Sequence, residues 1–245
     1  MKKIITTIAL VAMLNVSFAQ DDKENPEDKL SFGLSLNHDA FFGFNPMMTA
    51  SYELSEKGSI TAYGIQWGAG TGSAWGQWTE IGLGYNFNVG DFDINPQLGF
   101  TMGSLLSSGA NQEGIVGDGI VPNLTVNYDS DKFEGQFYFG YYLALIDNTE
   151  SGQATNNYVH YWANLGHKVS SIFSFGAHFE QLFLSGGSVN GGGDLDRVDG
   201  YFWVGPYVQL QKNGLGFRFS GGWNAEDSDA FSQNDFYKLT FFVSF

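Results

Sequence analysis

Cysteine is absent from the 245 residues. That excludes disulfides, thiol nucleophiles and cysteine-ligated metals. Beyond the first 19 residues there is no long apolar run, so no helical membrane span follows them, since such a helix needs about 20 consecutive apolar residues. Basic residues are scarce, at 11 Lys and Arg against 26 Asp and Glu, and two of the 11 are Lys2 and Lys3. A chain this acidic is poorly suited to phosphate backbones, and nucleic acid is not expected as a partner. No motif calls for a cofactor.

Glycine (33 residues) and aromatics (17%) are abundant, while only five prolines occur. Aromatic residues at this level argue against disorder, which depends on their scarcity. The N-terminus has the three parts of a secretory signal. Lys2 and Lys3 form a basic start, Ile4 to Val16 is mostly apolar, and Ser17-Phe18-Ala19 puts small residues at the positions a signal peptidase reads. We expect residues 1–19 to be a cleaved signal peptide, because the apolar run is too short for a membrane anchor. No Cys follows the cut to carry a lipid. Residues 20–29 are charged, have no apolar period and read as a flexible leader. Residues 30–245 read as one β domain.

From Leu30 onward apolar residues recur every second position, the period of strands. The apolar sets are Leu30/Phe32/Leu34/Leu36, Met48/Ala50/Tyr52/Leu54, Tyr63/Ile65/Trp67, Ile81/Leu83/Tyr85/Phe87 and Phe92/Ile94/Leu98/Phe100. Further along come Ile120/Leu124/Val126/Tyr128, Phe137/Phe139/Tyr141/Leu143/Leu145, Val159/Tyr161/Ala163/Leu165 and Phe173/Phe175/Ala177/Phe179. The last three are Phe202/Val204/Val208/Leu210, Leu215/Phe217/Phe219 and Tyr237/Leu239/Phe241/Val243/Phe245. About twelve strands result, each near the length a tilted strand needs to cross a bilayer. Pro96, Pro122 and Pro206 fall inside three of them, where each removes a ladder donor. A count of ten strands is the alternative.

Short connections alternate with long ones. The short ones are near 55–58, 88–91, 130–132, 167–171 and 212–214. The long ones are near 38–46, 68–76, 103–118, 147–156, 185–197 and 224–235. Transmembrane barrels of the bacterial outer membrane alternate in this way, with short periplasmic turns and long external loops. A soluble sandwich has no reason to.

The last ten residues, Phe236 to Phe245, place Tyr237, Leu239, Phe241, Val243 and Phe245 on one face and end in an aromatic. This resembles the C-terminal strand signal of Gram-negative outer-membrane proteins, which the barrel-assembly machinery reads. The chain is similar in pattern to small, uncharacterised outer-membrane barrel families, and in strand count to the nucleoside-specific channel family. No substrate-binding motif of that family matches, so no residue role carries over. The resemblance implies an all-β, closed antiparallel barrel in the outer membrane, in contact with its lipid and lipopolysaccharide.

In lipid every backbone group must pair internally, so the sheet has to close. With the apolar sets outward, the lumen receives the intervening residues. Its charged and polar members include Glu53, Gln66, Glu80, Asp93, Glu134, His160, His178, Glu180, Arg218 and Lys238. Carboxylates outnumber bases there, so an open lumen would favour cations. Trp78, Tyr138, Tyr142, Tyr158, Trp162, Tyr201 and Trp203 also alternate inward. They are either stacking platforms for a solute or simple filling and girdle rings.

Counting from a turn near Val169, His160 and His178 should sit nearly opposite each other, with Glu180 and Ser174 on the same face. A His–Glu pair with a Ser is the raw material of a hydrolase, which needs its groups within hydrogen-bond reach. Ser174 lies roughly 13 Å along an extended strand from His178, so no enzyme is expected. In the loops, Asp194 and Asp196, and Asp227 and Asp229, combine carboxylates with flexible neighbours that suit Ca²⁺, or are simply solvated. The run Phe41-Phe42-Gly43-Phe44 either folds into the barrel mouth or touches the membrane interface. The expected role is passive passage or binding of small polar solutes. The alternative is a non-transporting barrel acting through its acidic loops, and a lipid hydrolase using His178 ranks last.

Overall fold

The computed structural model describes residues 29–69, 77–103, 116–145, 154–190, 192–226 and 234–245. The proposed signal peptide and all of the leader except Lys29 lie outside these residues. Thirteen strands are described: β1 (Leu30–Asp39), β2 (Gly43–Ser55), β3 (Gly58–Trp67), β4 (Trp78–Val89), β5 (Phe92–Met102), β6 (Val116–Asp129), β7 (Phe133–Ala144), β8 (Ala154–Lys168), β9 (Phe173–Val189), β10 (Gly193–Leu195), β11 (Val198–Lys212), β12 (Leu215–Asn224) and β13 (Asp235–Ser244). Apart from β10, each strand pairs antiparallel with its neighbours along the chain, β9 passing directly to β11, and β13 returns to β1. The result is a closed antiparallel twelve-stranded barrel. Phe32 and Phe245 exchange backbone hydrogen bonds at 2.8 and 3.0 Å at the closure. The three-residue β10 pairs only with the far end of β9 and stands off the ring.

The alternation of side chains decides the two faces. Leu83 (66% exposed), Met48, Leu165 and Phe175 stand out from the wall, as do most members of the apolar sets. A continuous apolar exterior on a sheet with no free edge is the condition for crossing a bilayer with strands. Aromatic contacts cluster outside the barrel near the short-turn end, with Phe32 on Phe245, Tyr85 on Phe87, Phe92 on Tyr128, His167 on both Phe133 and Phe175, and Phe217 on Phe241. They form one girdle of the kind that marks a membrane interface. At this end Asn213 and Gly214 both take positive φ (51° and 77°) between Lys212 and Leu215. Such a two-residue Asn-Gly hairpin matches the twist of the strands it joins.

The three prolines do not end their strands. Each projects outward, and each interrupts pairing on one side only. Pro96 leaves a gap between β4 and β5 but none toward β6. Pro122 opens a gap toward β7, and Pro206 one toward β12. Opposite Pro206 the wall is glycine. A side chain at Gly205 would run into the backbone of Gly221 and Gly222, so β11 and β12 approach there as only glycine allows.

Three sequence-based expectations need correction. Tyr63, Ile65 and Trp67 face the lumen, and Gln66 faces out. The cause is register: Ile65 sits opposite Glu80 and Trp67 opposite Trp78, and directly paired residues share a face. The connection placed at 38–46 is a three-residue turn, because the Asp39 side chain accepts from the backbone N–H groups of Phe41 (2.9 Å) and Phe42 (2.5 Å). The stretch 185–197 is largely a strand extension, where β9 pairs with β8 as far as Ala154 and then with β10.

Candidate functional site in the barrel lumen

The lumen is filled by three carboxylate-centred networks and a layer of rings. Glu134, Glu80 and Glu180 are all buried.

Glu134 lies near the short-turn end of β7. It accepts from Ser174 Oγ (2.6 Å), from the Tyr207 hydroxyl (3.0 Å) and from Gln209 Nε2. Arg218 Nε donates to Gln209 Oε1 at 2.7 Å, and the guanidinium lies 5.4 Å from the Tyr207 ring centroid. Ser174 is therefore committed to Glu134. It does not complete a nucleophilic arrangement with His178.

Glu80, in the other half of the barrel, accepts from the Tyr63 hydroxyl (2.5 Å) and from Trp67 Nε1 (3.2 Å). Asn123 Nδ2 donates to the Tyr63 oxygen at 2.9 Å. The residues that β3 contributes here are the ones the apolar pattern assigned to lipid.

Glu180 is the hub. Its Oε1 lies 2.8 Å from His160 Nε2 and accepts from the Tyr201 hydroxyl at 2.9 Å. Its Oε2 accepts from Lys238 Nζ at 2.5 Å and lies 3.4 Å from His178 Nε2. His178 Nδ1 is 2.8 Å from Asn164 Oδ1. The two histidines do not face each other directly. His160 pairs with Leu182 and His178 with Asn164, because the β8–β9 turn is centred near Ser171 rather than Val169. Glu180 brings them together instead. Lys238 comes from β13, with β11 and β12 between it and β9, so the ion pair is a chord across the interior.

Above the Glu180 hub, toward the long-loop end, aromatic rings close the lumen. Phe42, 2% exposed, packs against Trp67 (4.7 Å between centroids), His160 (5.4 Å) and Trp78 (6.0 Å). Phe41 packs on Tyr201 at 5.2 Å, Tyr201 stacks on Trp203 at 4.0 Å, and Trp203 stacks on Phe236 at 5.0 Å. Lower down, Tyr138 stacks on Trp162 at 4.0 Å, and Lys238 Nζ sits 4.9 Å from the Trp162 ring centroid. A small cavity remains among Phe42, Trp67, Trp78, Tyr142, Tyr158, His160 and Leu182, with room for about one water molecule.

Of the lumen residues nominated from the sequence, Gln66 faces out, Glu53 and Asp93 sit at the short-turn mouth, and the other fourteen lie on inward strand positions. Glu80, Glu134, His160, His178, Glu180, Arg218 and Lys238 join the networks just described. Of the seven rings, Trp78, Tyr201 and Trp203 belong to the plug layer, Tyr142 and Tyr158 line its cavity, and Tyr138 and Trp162 form a stack that packs on His160 below it. What sequence reasoning missed is Asp39, Tyr63, Trp67, Tyr207 and Phe236; of the two placements left open for the Phe41-Phe42 run, the structure takes the one inside the barrel mouth. Asp39 carries a usable signal, since an Asp two and three residues before exposed N–H groups forms such a turn. Asp194 and Asp196 are exposed, and among the described residues no three His, Cys, Asp or Glu side chains converge as a metal site. Asp227 and Asp229 lie outside the described residues.

A closed twelve-stranded barrel with an apolar exterior and a polar and aromatic interior is a porin-like transmembrane fold. The chain belongs to the family of unknown function DUF6733, which matches residues 1–245. No curated protein matches the sequence. Among solved structures, the fold is similar to the COG4313 outer membrane channel from Pseudomonas putida F1, at 11% identity and a TM-score of 0.57, covering 91% of this chain and all of that one. It is also similar to the NanC porin, at 8% identity and a TM-score of 0.51, covering 87% of this chain and 98% of that one.

Proposed function

We propose that the protein is an outer-membrane channel for small polar solutes, closed in the state described. Its short-turn end faces the periplasm and its long loops face outward, after export by the N-terminal signal and insertion by the barrel-assembly machinery. The observation that carries this reading is the contrast between the two faces of one closed wall. Apolar residues stand outside, while Thr49, Ser51, Asn95, Gln97, Thr125 and Gln136 line the inside toward the short-turn mouth. Such a wall suits water on one side and lipid on the other. The porin-like fold supports the same reading.

A preference for cations rests on the mouth rather than the centre. Glu80, Glu134 and Glu180 are occupied by internal donors, whereas Glu53 and Asp93 remain exposed at the short-turn end. Single-channel recording in planar bilayers tests both points. Discrete, cation-preferring openings that lose preference in Glu53→Gln/Asp93→Asn support the channel. Permanent silence from a correctly folded barrel sinks it.

The filled lumen favours a second reading, a non-transporting barrel whose outer loops engage ions, lipopolysaccharide or a partner. Silence in the same recording, together with calcium or lipopolysaccharide binding that is lost when the loops are shortened, is its signature.

A further inference from the structure

The rings that close the lumen have two different origins. Trp67, Trp78, Tyr201, Trp203 and Phe236 project from strands, so their backbone is held in the wall and only their side-chain torsions can change. Phe41 and Phe42 project from the turn between β1 and β2, outside the strand ladder. The Asp39 side chain holds the turn in its inward bend. Asp39 Oδ1 accepts from the N–H groups of Phe41 and Phe42, while Asn45 Nδ2 donates to Asp39 Oδ2 at 3.3 Å. Asp39 is itself buried, so water does not compete for it. Bent this way, the turn delivers Phe42 to His160 on β8 and Phe41 to Tyr201 on β11.

We propose that the Ala40–Phe42 turn is the gate of the barrel, with Phe41 and Phe42 as the plug and Asp39 as its latch. Resting on the channel reading above, this names the part that moves. The plug can leave without unpairing a strand if Ala40, whose N–H donates to the Tyr237 carbonyl of β13 at 3.2 Å, stays as the anchor while Phe41 and Phe42 swing beyond it. Withdrawal of Phe42 from the space between Trp67, Trp78 and His160 enlarges the small cavity already beside it into a passage. Swinging a turn is also a small rearrangement between two discrete packings, the kind on which closed and open populations depend.

The test is single-channel recording on three refolded variants, each checked for folding by its heat-modifiable mobility in gels. Asp39→Ala keeps both rings but removes the latch. We expect its open probability to rise roughly tenfold or more over the wild type, since even one of the three hydrogen bonds Asp39 accepts is worth about that factor to the closed state. Phe41→Gly/Phe42→Gly removes the plug and should stay open. Trp223→Ala removes an outward-facing ring at the same end of the barrel, on β12, and should stay as closed as the wild type. Wild-type openings that are unchanged in both turn variants overturn the gate and leave the channel reading standing. Equal opening in Trp223→Ala also overturns it, because loss of any ring at that end would then do. If wild type and all variants fold yet never conduct, the channel reading fails and the gate falls with it.

Discussion

The Trp67 indole and the His160 imidazole lie 6.1 Å apart, centroid to centroid, although β3 and β8 are five strands apart around the ring in one direction and seven in the other. Two nearly opposite walls therefore all but meet through their side chains, and Phe42 packs against both rings. Trp67 also donates to Glu80. Its replacement removes ring packing and a partner of a buried carboxylate together. Trp67→Ala should cost about 3–5 kcal/mol, the range for deleting a large buried ring. Urea unfolding in lipid vesicles measures this, and a loss below about 1 kcal/mol would mean the lumen is looser than described.

Lys238 and Glu180 form the ion pair on which the central network rests. Lys238→Met leaves a fully buried carboxylate with a cation removed, which costs on the order of 3–5 kcal/mol in comparable buried pairs. Lys238→Arg keeps the charge and should recover most of that. The same unfolding assay reads both, and equal losses in the two variants would show that shape rather than charge is being tested.

Ser174 sits in a position that invites a catalytic interpretation, yet its hydroxyl donates to Glu134. Ser174→Ala should lower stability by about 1–3 kcal/mol, the cost of leaving a buried acceptor short of a partner. It should change no hydrolytic activity toward ester or phospholipid substrates. Wild-type hydrolysis that disappears in Ser174→Ala would reverse this assignment.

On the outer surface the cost of a charge should depend on depth. Leu83 is near the middle of β4 and Val89 is at its short-turn end, and both are exposed to the surroundings. Leu83→Arg should cost about 2–4 kcal/mol and Val89→Arg about 0–1 kcal/mol, the depth dependence of a lipid-facing arginine. Equal costs would mean that the apolar belt is not centred where the fold puts it.

Phe245 closes the ring against Phe32 and ends the stretch that resembles an assembly signal. Removing Phe245 should reduce the amount of folded barrel in cells far more than it reduces refolding of purified protein into detergent. Parallel losses in the two assays would assign Phe245 to stability rather than to recognition by the assembly machinery.

Much of the barrel was legible because strand periodicity is local. A period of two over some ten residues, repeated between turn signals, needs no knowledge of neighbours, and it placed strands around Pro96, Pro122 and Pro206 that the structure keeps. The same periodicity put every nominated lumen residue except Gln66 on the inner face. It failed at β3, where both faces are apolar: Ile60 and Ala62 alternate with Tyr63, Ile65 and Trp67. Hydrophobicity alone cannot choose between such faces. Pairing with β4, whose Glu80 could not face lipid, made the choice.

By itself, then, the sequence determined the closed all-β architecture and the polarity of most inward positions, because both follow from alternation along one strand. Only the tertiary structure decided what the lumen contains. Glu180 meets Lys238 across two intervening strands, and Phe42 reaches His160 through a turn bent by Asp39. Such contacts depend on barrel diameter, strand stagger and the course of one short turn. No period along the chain encodes these quantities, which arise only when twelve strands close on one another.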